Sequence, residues 1–354
     1  MNVQMVNVRL GLVFAAGLTL NQAVPAGPAT QDQTWAALDA RATELYDKGD
    51  LPHAIEAAAA ALRRAASPRE TGRSLDRLGF LYYTSGKLAE GEQFLRRSLD
   101  TRESAFGADS LDYAETANDL AMLLRDLRRM DEATSLAERA VATRERLLGT
   151  AAMPLAESLN TLATVYGLAG SYVQAVSTFE RAVAIHESRP APDRVTEEYG
   201  TLCVNLAGTY QRLGKYDASE ATFQKGLEAL KVKPGVSHPA YAASLLAYAA
   251  LEVELGRYGQ AERLYDEGER LVLSGLGAEH PIYATFLNNR GFLYHSIGNA
   301  AAAAASYQQS LDLKRKLYGP DSPLAISTLR NLAHLTYSQD HRAGERLLAE
   351  AVAA

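Results

Sequence analysis

A helical segment repeats along most of this chain at a nearly constant spacing of 42 residues. In its clearest copy, Glu279–Gly319, apolar residues at helical spacing lead to Gly298, and a second helical stretch follows. A small residue midway along the first helix marks each copy, and the steps between these markers are 37, 42, 42, 44, 42, 42 and 42. A pair of helices repeated at a fixed period is typical of a solenoid. The markers are Ala42, Gly79, Ala121, Ala163, Ala207, Ala249, Gly291 and Ala333.

Each copy also has a turn and a second small residue at fixed distances from its marker. The turn lies seven residues after the marker and is glycine except at Arg128 and Asp340, where we expect strain or a different shape. The second small residue lies five residues further on, and Glu345 is the expected exception. An αα-hairpin of this kind cannot bury its apolar face alone and must stack on its neighbours. The sequence therefore predicts an all-α solenoid, a right-handed superhelix of about eight helical hairpins.

Three long segments give the pattern a resemblance to a known family. They are LNTLATVYGLAGSYVQAVSTFERAVAIHE (159–187), NLAGTYQRLGKYDASEATFQKGLEAL (205–230) and AERLYDEGERLVLSGLGAEHP (261–281). These segments resemble the tetratricopeptide repeat (TPR), in the longer variant found in kinesin light chains. The resemblance covers about Trp35 to Ala354 and implies TPR-type hairpins that serve as a scaffold for other proteins.

The markers and the Gly- or Pro-containing linkers between them set the predicted repeat boundaries. The most loop-like linker is RPAPD (189–193), where the 44-residue step predicts a slightly longer connection rather than a domain boundary. His238 and His280 precede prolines at helix entries, where we expect them to act as caps. The predicted segments are a signal peptide and short leader at 1–29 and a solenoid at 30–354, with repeats near 35–66, 71–107, 110–149, 154–189, 196–233, 238–277, 280–319 and 322–353.

The first 30 residues differ in kind from the repeats. A polar start with Arg9 leads into the apolar run LGLVFAAGLTL (10–20), and small residues follow. This pattern is typical of a secretory signal, here with cleavage after Ala26 or Ala29. The run is shorter than the roughly 20 residues of a spanning helix, so we expect no stable membrane span after cleavage. We predict a periplasmic or secreted protein; a cytoplasmic protein with an uncleaved extension is the alternative.

Charge and motifs argue against several functional classes. A formal net charge of -6 without a basic stripe argues against nucleic-acid binding. The sequence has no HExxH, Walker, GxGxxG or CxxC motif, and its single cysteine, Cys203, is expected to be a buried structural thiol. His295 and His334 lie on adjacent repeats, but no third metal ligand accompanies them. We predict no catalytic residue, no cofactor and no metal site. The pattern does not predict an oligomeric state.

The resemblance implies that function lies on a concave groove lined by the first helix of each hairpin. Positions two and three residues before the marker should face this groove, and many of them are asparagines. An asparagine amide can pair with the backbone of an extended peptide of any sequence. Alternatively, these amides hydrogen-bond the adjacent repeat and order the stack. The predicted partner-binding residues are Asn118, Arg125, Asn160, Asn205, Arg212, Asn288, Asn289, Phe292, His295, Arg330, Asn331 and His334.

The predicted function is a non-catalytic scaffold that binds an extended peptide or a partner protein along this groove. The C-terminal end of the groove combines amide, aromatic and cationic groups, which suits a peptide with an acidic or carboxylate feature. A second mixed patch is expected near the N-terminus, at Arg73, Phe80, Tyr83, Asn118 and Arg125. A peptide-responsive regulatory protein is the alternative, and a metal-dependent hydrolase using the two histidines is the less favoured one.

Overall fold

The computed structural model describes residues 34–338 and 340–353, and all regular secondary structure of these residues is helical. The chain divides into two compact units at the bond between Pro190 and Ala191. This bond lies in the loop-like linker after the fourth repeat. The expected signal segment lies outside the described residues.

Four hairpins make up the described part of the N-terminal unit. Their helices are α1 (Trp35–Asp47), α2 (Leu51–Arg64), α3 (Pro68–Thr84), α4 (Leu88–Phe106), α5 (Leu111–Asp126), α6 (Met130–Leu148), α7 (Met153–Leu168) and α8 (Tyr172–Glu187). Each hairpin packs against the next, so that α2 contacts α3, α4 contacts α5 and α6 contacts α7. The first helices also contact one another, from α1 to α3, α3 to α5 and α5 to α7.

The C-terminal unit has the same architecture after a single helical turn, α9 (Ala191–Arg194). Its four hairpins are formed by α10 (Glu197–Arg212), α11 (Tyr216–Leu230), α12 (Pro239–Glu254), α13 (Tyr258–Gly275), α14 (Pro281–Ser296), α15 (Ala300–Tyr318), α16 (Pro323–Tyr337) and α17 (His341–Ala353). The prediction of an all-α repeat of about eight helical hairpins is confirmed. None of the described helices is both long and apolar enough to cross a membrane.

His238 and His280 fix the starts of α12 and α14. In each ring Nδ1 accepts a hydrogen bond from the backbone N–H two residues on, at 3.3 Å for His238 and 3.2 Å for His280. A proline follows each histidine at the first helical position, where its missing N–H costs no hydrogen bond. The capping role expected for both histidines is confirmed.

The turn inside most hairpins uses left-handed backbone. The six turn glycines have φ between +69° and +84°. Arg128 adopts the same conformation, with φ +65°, and among the described residues it alone does so with a side chain. A left-handed conformation costs an L-residue about 1 kcal/mol, which is the strain expected for this turn.

Small residues let the two helices of a hairpin approach at the backbone. A Cβ atom on Gly79 would lie 2.6 Å from Cγ of Leu95, and one on Gly91 would lie 3.0 Å from the carbonyl oxygen of Gly79. A Cβ atom on Gly291 would lie 2.7 Å from the ring of Tyr307. Leu95 and Tyr307 are almost fully buried. The small residues therefore set the distance between the helices, and the large residues opposite them fill the seam.

In the last hairpin the second small residue lies one position earlier than expected. Asp340 is the N-cap of α17, and its Oδ1 accepts a hydrogen bond from the backbone N–H of Ala343 at 3.1 Å. Gly344 makes the close approach, since a Cβ atom on it would lie 2.6 Å from the backbone nitrogen of Tyr337. Glu345 is exposed. The exception expected at Glu345 is therefore wrong: the small residue is kept, and the spacing is one residue shorter.

Apolar side chains fill the space between neighbouring hairpins. The largest buried cluster in the C-terminal unit runs from α10 to α14 and includes Phe223, Tyr265 and Phe286. In the N-terminal unit, Leu120 and Leu124 of α5 belong to a comparable cluster. The Cys203 thiol is fully buried, as the sequence predicts.

Gly344→Val should loosen the packing of α17 on α16, because its side chain would overlap the Tyr337 backbone. Overpacking of this kind typically costs about 1–3 kcal/mol. Hydrogen exchange of the α17 amides measures the effect locally, and thermal unfolding measures it globally. Glu345→Val is the matched control, with the same new side chain at an exposed position. Equal loss of protection in both variants, or none in Gly344→Val, would contradict this register.

Candidate partner-binding surfaces

The first helices of the N-terminal unit line an open cavity of about 680 Å³. Three successive hairpins contribute to its walls, mainly through α3 and α5. Charged groups dominate the lining, and two aromatic rings lie among them. Two residues of the mixed patch expected here, Arg73 and Phe80, are in the lining. The full lining is Trp35, Arg69, Glu70, Arg73, Asp76, Arg77, Phe80, Arg102, Asp112, Glu115 and Asp119.

Three of the four cavity arginines pair with carboxylates at the cavity edge. Arg69 donates hydrogen bonds from Nε and Nη2 to the two carboxylate oxygens of Asp112, both at 3.2 Å. Arg73 and Arg77 place Nε 3.0 Å and 2.6 Å from the carboxylate of Asp39, which is almost fully buried. These three guanidiniums therefore share two carboxylates of the protein, Asp112 and Asp39.

Trp35 is held in place at the cavity wall by two contacts. Its indole N–H donates a hydrogen bond to the Ser74 hydroxyl at 2.9 Å. The guanidinium carbon of Arg73 lies 5.8 Å from the ring centroid, within cation–π range. Trp35 is the one tryptophan in the sequence. Its indole therefore reports on this cavity without interference from another tryptophan.

The fourth arginine, Arg102 of α4, is buried and has several partners. Nη2 lies 2.6 Å from Oδ2 of Asp76, and Nη1 lies 2.7 Å from Oε2 of Glu115. Nη1 also donates a hydrogen bond to the Asp112 carbonyl oxygen at 2.5 Å. Gly72 leaves room for this side chain, since a Cβ atom there would lie 2.8 Å from Arg102 Nε. Arg102 therefore joins α4 to two successive first helices.

The Asp76 carboxyl is shaped by opposing influences. Burial raises its pKa to about 6, while the charge of Arg102 and hydrogen bonds from the Ser98 and Thr116 hydroxyls act against that rise. The Thr116 hydroxyl donates to Oδ1 at 2.9 Å. Burial outweighs these stabilising partners, so the ionised form of Asp76 is less favourable in the folded protein than in water.

Asp119 differs from the other cavity carboxylates. Glu70 caps α3, and the remaining ones face arginines, but no basic side chain among the described residues lies within ion-pairing distance of Asp119. Its carboxylate accepts a long hydrogen bond, 3.4 Å, from the Asn118 amide. Burial, and then the negative charges of Asp76 and Glu115, raises the pKa of Asp119 to about 7. This carboxylate therefore lies in surroundings that favour a proton.

A buried basic side chain recurs on the second helices, a feature that the sequence analysis missed. Each member is at most 6 % exposed. Arg102, Arg144 and Lys314 each donate a hydrogen bond to the first helix of the following repeat. In the fifth and sixth repeats Leu230 and Val272 occupy the equivalent position. The 42-residue spacing of the first three members is the sequence signal that could have revealed this recurrence. The members are Arg102, Arg144, His186 and Lys314.

Lys314 organises a buried polar network in the C-terminal unit. Its ammonium donates to the Thr328 hydroxyl at 2.7 Å, and burial lowers its pKa to about 8. The Thr328 hydroxyl and the Asn331 amide donate to Oδ1 of Asn288, at 3.2 Å and 3.1 Å. The Asn288 amide donates in turn to Oδ1 of Asn289 at 3.1 Å. Asn288 and Asn331 thus form the bond between adjacent repeats that the sequence left as an alternative, and binding of a partner by them stays a prediction.

The other predicted site residues differ in how accessible they are. Arg125 is buried, with Nε 2.8 Å from Oδ1 of Asp126. Asn118 is also buried, beside Asp119. The half-buried members are Asn160, Asn205, Phe292 and His295, and the exposed ones are Arg212, Arg330 and His334.

The two histidines of the metal-dependent alternative, His295 and His334, lie on α14 and α16. Within residues 34–338 and 340–353, no group of three His, Cys, Asp or Glu side chains is arranged to hold a metal ion. The described part of the chain therefore offers no ligand set for the metal-dependent alternative.

Comparison with known families decides the classification. A family model described as tetratricopeptide repeat matches residues 70–145, 116–188, 199–274 and 276–354, which is more than half of the chain. The chain belongs to this family. No curated protein matches the sequence.

Solved structures of TPR proteins have the same fold. A tetratricopeptide repeat protein from Parabacteroides merdae is 17% identical, with 83% of this chain and 98% of that chain covered and a TM-score of 0.55. Kinesin light chain TPR-like repeats from Podosopora anserina are 19% identical, with 59% and 98% covered and a TM-score of 0.50. A Rap protein complexed with Competence and Sporulation Factor is 15% identical, with 89% and 76% covered and a TM-score of 0.51. At these identities the similarity shows the fold alone.

Asp119→Asn should stabilise the protein at pH 8 and leave it nearly unchanged at pH 4. The folded-state pKa lies above the ordinary value of 3.8, so the native protein binds this proton more tightly than the unfolded chain. Wild-type stability should therefore fall as pH rises from about 4 to about 7, whereas the amide cannot ionise. We expect a difference of about 4 kcal/mol at pH 8, measured by urea unfolding.

Asp109→Asn, a change at an exposed position outside the cavity, is the control. It should give the same difference from wild type at both pH values. An Asp119→Asn difference that does not grow with pH would contradict the assigned environment of Asp119.

Proposed function

We propose that this TPR protein is a non-catalytic scaffold that binds an extended peptide or a partner protein through the first helices of its repeats. The N-terminal cavity carries this proposal, because three successive hairpins present charged and aromatic side chains to one open space. Concave sites with a few convergent polar groups are the usual places where proteins bind ligands. TPR repeats generally mediate protein–protein interaction, and one similar structure is a complex with a named factor.

A second binding surface is proposed on the C-terminal unit. Arg330 and His334 lie one helical turn apart on α16 and are both exposed. Phe292 of α14 is half-buried. Cationic and aromatic groups together suit an acidic side chain or a C-terminal carboxylate of a partner. The buried asparagine network holds α14 and α16 together and so positions these side chains.

We also propose that the protein is exported to the periplasm or secreted. The support is the sequence pattern of residues 1–29, with a short apolar run followed by small residues. The scaffold would then act on partners outside the cytoplasm.

Affinity purification from the native host tests the two surfaces separately. We expect wild type to recover a partner, and either Arg330→Ala/His334→Ala or Phe80→Ala to reduce that recovery about tenfold, according to which surface is used. Asn288 and Asn289 are left unchanged, because removing their buried hydrogen bonds would disturb folding.

Arg342→Ala/Arg346→Ala is the matched control for the α16 pair. Both arginines are exposed and lie one turn apart on the neighbouring helix α17. Thermal unfolding of each variant shows whether the fold is kept. Undiminished recovery with both surface variants would move the interface away from the first helices and contradict the proposal.

The export proposal predicts a mature N-terminus at Gly27 or Thr30 in protein purified from the host. N-terminal sequencing and fractionation of periplasm, medium and cytoplasm are the measurements. Replacing Leu12 and Phe14 by Arg should abolish processing, because it breaks the apolar run, and leave full-length protein in the cell. An intact N-terminus on wild-type cytoplasmic protein would favour the alternative location.

A further inference from the structure

The N-terminal cavity has a charge balance that selects one class of ligand. Each of its four arginines is paired with Asp39, Asp76, Asp112 or Glu115. Asp119 is left over, with one long hydrogen bond from the Asn118 amide. Arg69 and Arg102 cannot turn to Asp119 without leaving another carboxylate unmatched, and Arg73 and Arg77 both face Asp39. Asp119 therefore lacks a positive charge beside it.

The groups around Asp119 do not supply this charge. Asp76 from α3 and Glu115 from α5 add negative potential, and Arg102 from α4 is shared between these two. Arg144 from α6 partly offsets the negative charge around Asp119, but its guanidinium lies 3.4 Å from Glu157 of α7. The helices packed around Asp119 thus leave its charge only partly compensated.

Asp76 adds negative charge on the same side of the cavity. Its side chain is 12 % exposed and lines the cavity. Oδ2 is ion-paired with Arg102 Nη2 at 2.6 Å, and Oδ1 accepts a hydrogen bond from the Thr116 hydroxyl at 2.9 Å. Arg102 also pairs with Glu115, so this one guanidinium serves two carboxylates. Arg102 is therefore fully engaged and leaves Asp119 without a cation.

The aromatic lining fits a cation with an apolar stem. Trp35 and Phe80 lie in the wall of the cavity, and Phe80 is 37 % exposed. Aromatic faces attract ammonium and guanidinium groups and also cover methylene groups. A cavity of about 680 Å³ has room for a long side chain and for the backbone on either side of it.

We propose that this cavity binds a lysine or arginine side chain of an extended peptide, with its cation paired to Asp119 and the neighbouring peptide segment in the same cavity as Trp35 and Phe80. The inference rests on the proposed peptide-binding function and adds the chemistry of the residue that is recognised. An ammonium or guanidinium would restore the charge balance and would replace the proton that Asp119 otherwise favours.

Protonation of Asp119 then controls binding. Because its pKa is about 7, most molecules carry a neutral carboxyl at pH 5.5 and a carboxylate at pH 8. Each pH unit below the pKa lowers the ionised fraction about tenfold. Affinity for a basic side chain should therefore rise by about tenfold or more from pH 5.5 to pH 8.

The test uses acetylated and amidated heptapeptides of glycine with one central arginine, lysine, citrulline, norleucine or glutamate. None contains tryptophan, so the Trp35 indole N–H signal in a ¹⁵N NMR titration of the full chain reports occupancy of the cavity. We expect saturable shifts with the arginine and lysine peptides at pH 8. Citrulline and norleucine keep much of the side-chain length without the charge and should bind at least tenfold more weakly.

Asp119→Asn should abolish binding of the basic peptides and also the pH dependence. Because this substitution is expected to stabilise the fold, lost binding cannot be attributed to unfolding. Asp109→Asn should bind as wild type does. Three results would each overturn the inference: no Trp35 shift with a basic peptide at pH 8, equal binding of arginine and citrulline peptides, or stronger binding of the glutamate peptide.

These outcomes separate the inference from the proposed function. If a partner is captured through Phe80 or through Arg330 and His334, but the basic peptides do not bind, the scaffold function is supported and only the proposed ligand class is wrong. Binding of basic peptides that depends on Asp119, with partner recovery indifferent to every surface variant, would uphold the cavity chemistry and contradict the scaffold role.

Discussion

The close approach of two helices at paired small residues is the contact on which each repeat depends. Where Gly79 and Gly91 meet, the backbones lie so close that an added Cβ atom would collide. This distance places the second helix between its own first helix and that of the following repeat, so that the long side chain of Arg102 reaches Asp76 on one and Glu115 on the other. A wider hairpin would leave that cation buried without partners, which costs far more than a lost apolar contact. Packing within a hairpin therefore decides whether the polar contacts between hairpins can form.

Buried polar contacts give the stack an order that apolar contacts alone would not. Arg102 and Arg144 each donate to a backbone carbonyl ten residues on, across the linker to the next repeat. Such bonds tie one hairpin to one particular neighbour, because a displaced neighbour would leave a buried charge unmatched. Leu230 and Val272 replace the cation in the fifth and sixth repeats, where aromatic residues from α11 to α14 fill the core. Within this one chain, some neighbouring repeats are therefore joined by buried polar contacts and others by apolar packing.

The fold was predictable because its signals are local, whereas the site depends on side-chain direction. Turn glycines and small residues act through backbone conformation and helix distance, so their spacing alone predicts hairpins. In the last hairpin the spacing is one residue shorter, so counting from the marker led to Glu345 instead of Gly344. Positions two and three before the marker differ by about 100° around a helix. Sequence could not tell that Asn288 would point into the adjacent repeat. Asp119 lies two residues before the marker Ala121, where the spacing rule predicts a groove-facing residue, but nothing in the sequence distinguished it from the other residues at this position.

The repeats themselves show that packing does not require a carboxylate at Asp119. The position two residues before the marker holds an amide in Asn205, Asn289 and Asn331, and a hydroxyl in Thr161. An amide of the same shape would avoid the charge repulsion from Asp76 and Glu115. Residues that break such a local rule at a cost in stability concentrate where a protein binds its ligands. The negative charge at Asp119 is therefore better explained by a cation that arrives from outside than by the folding of the chain.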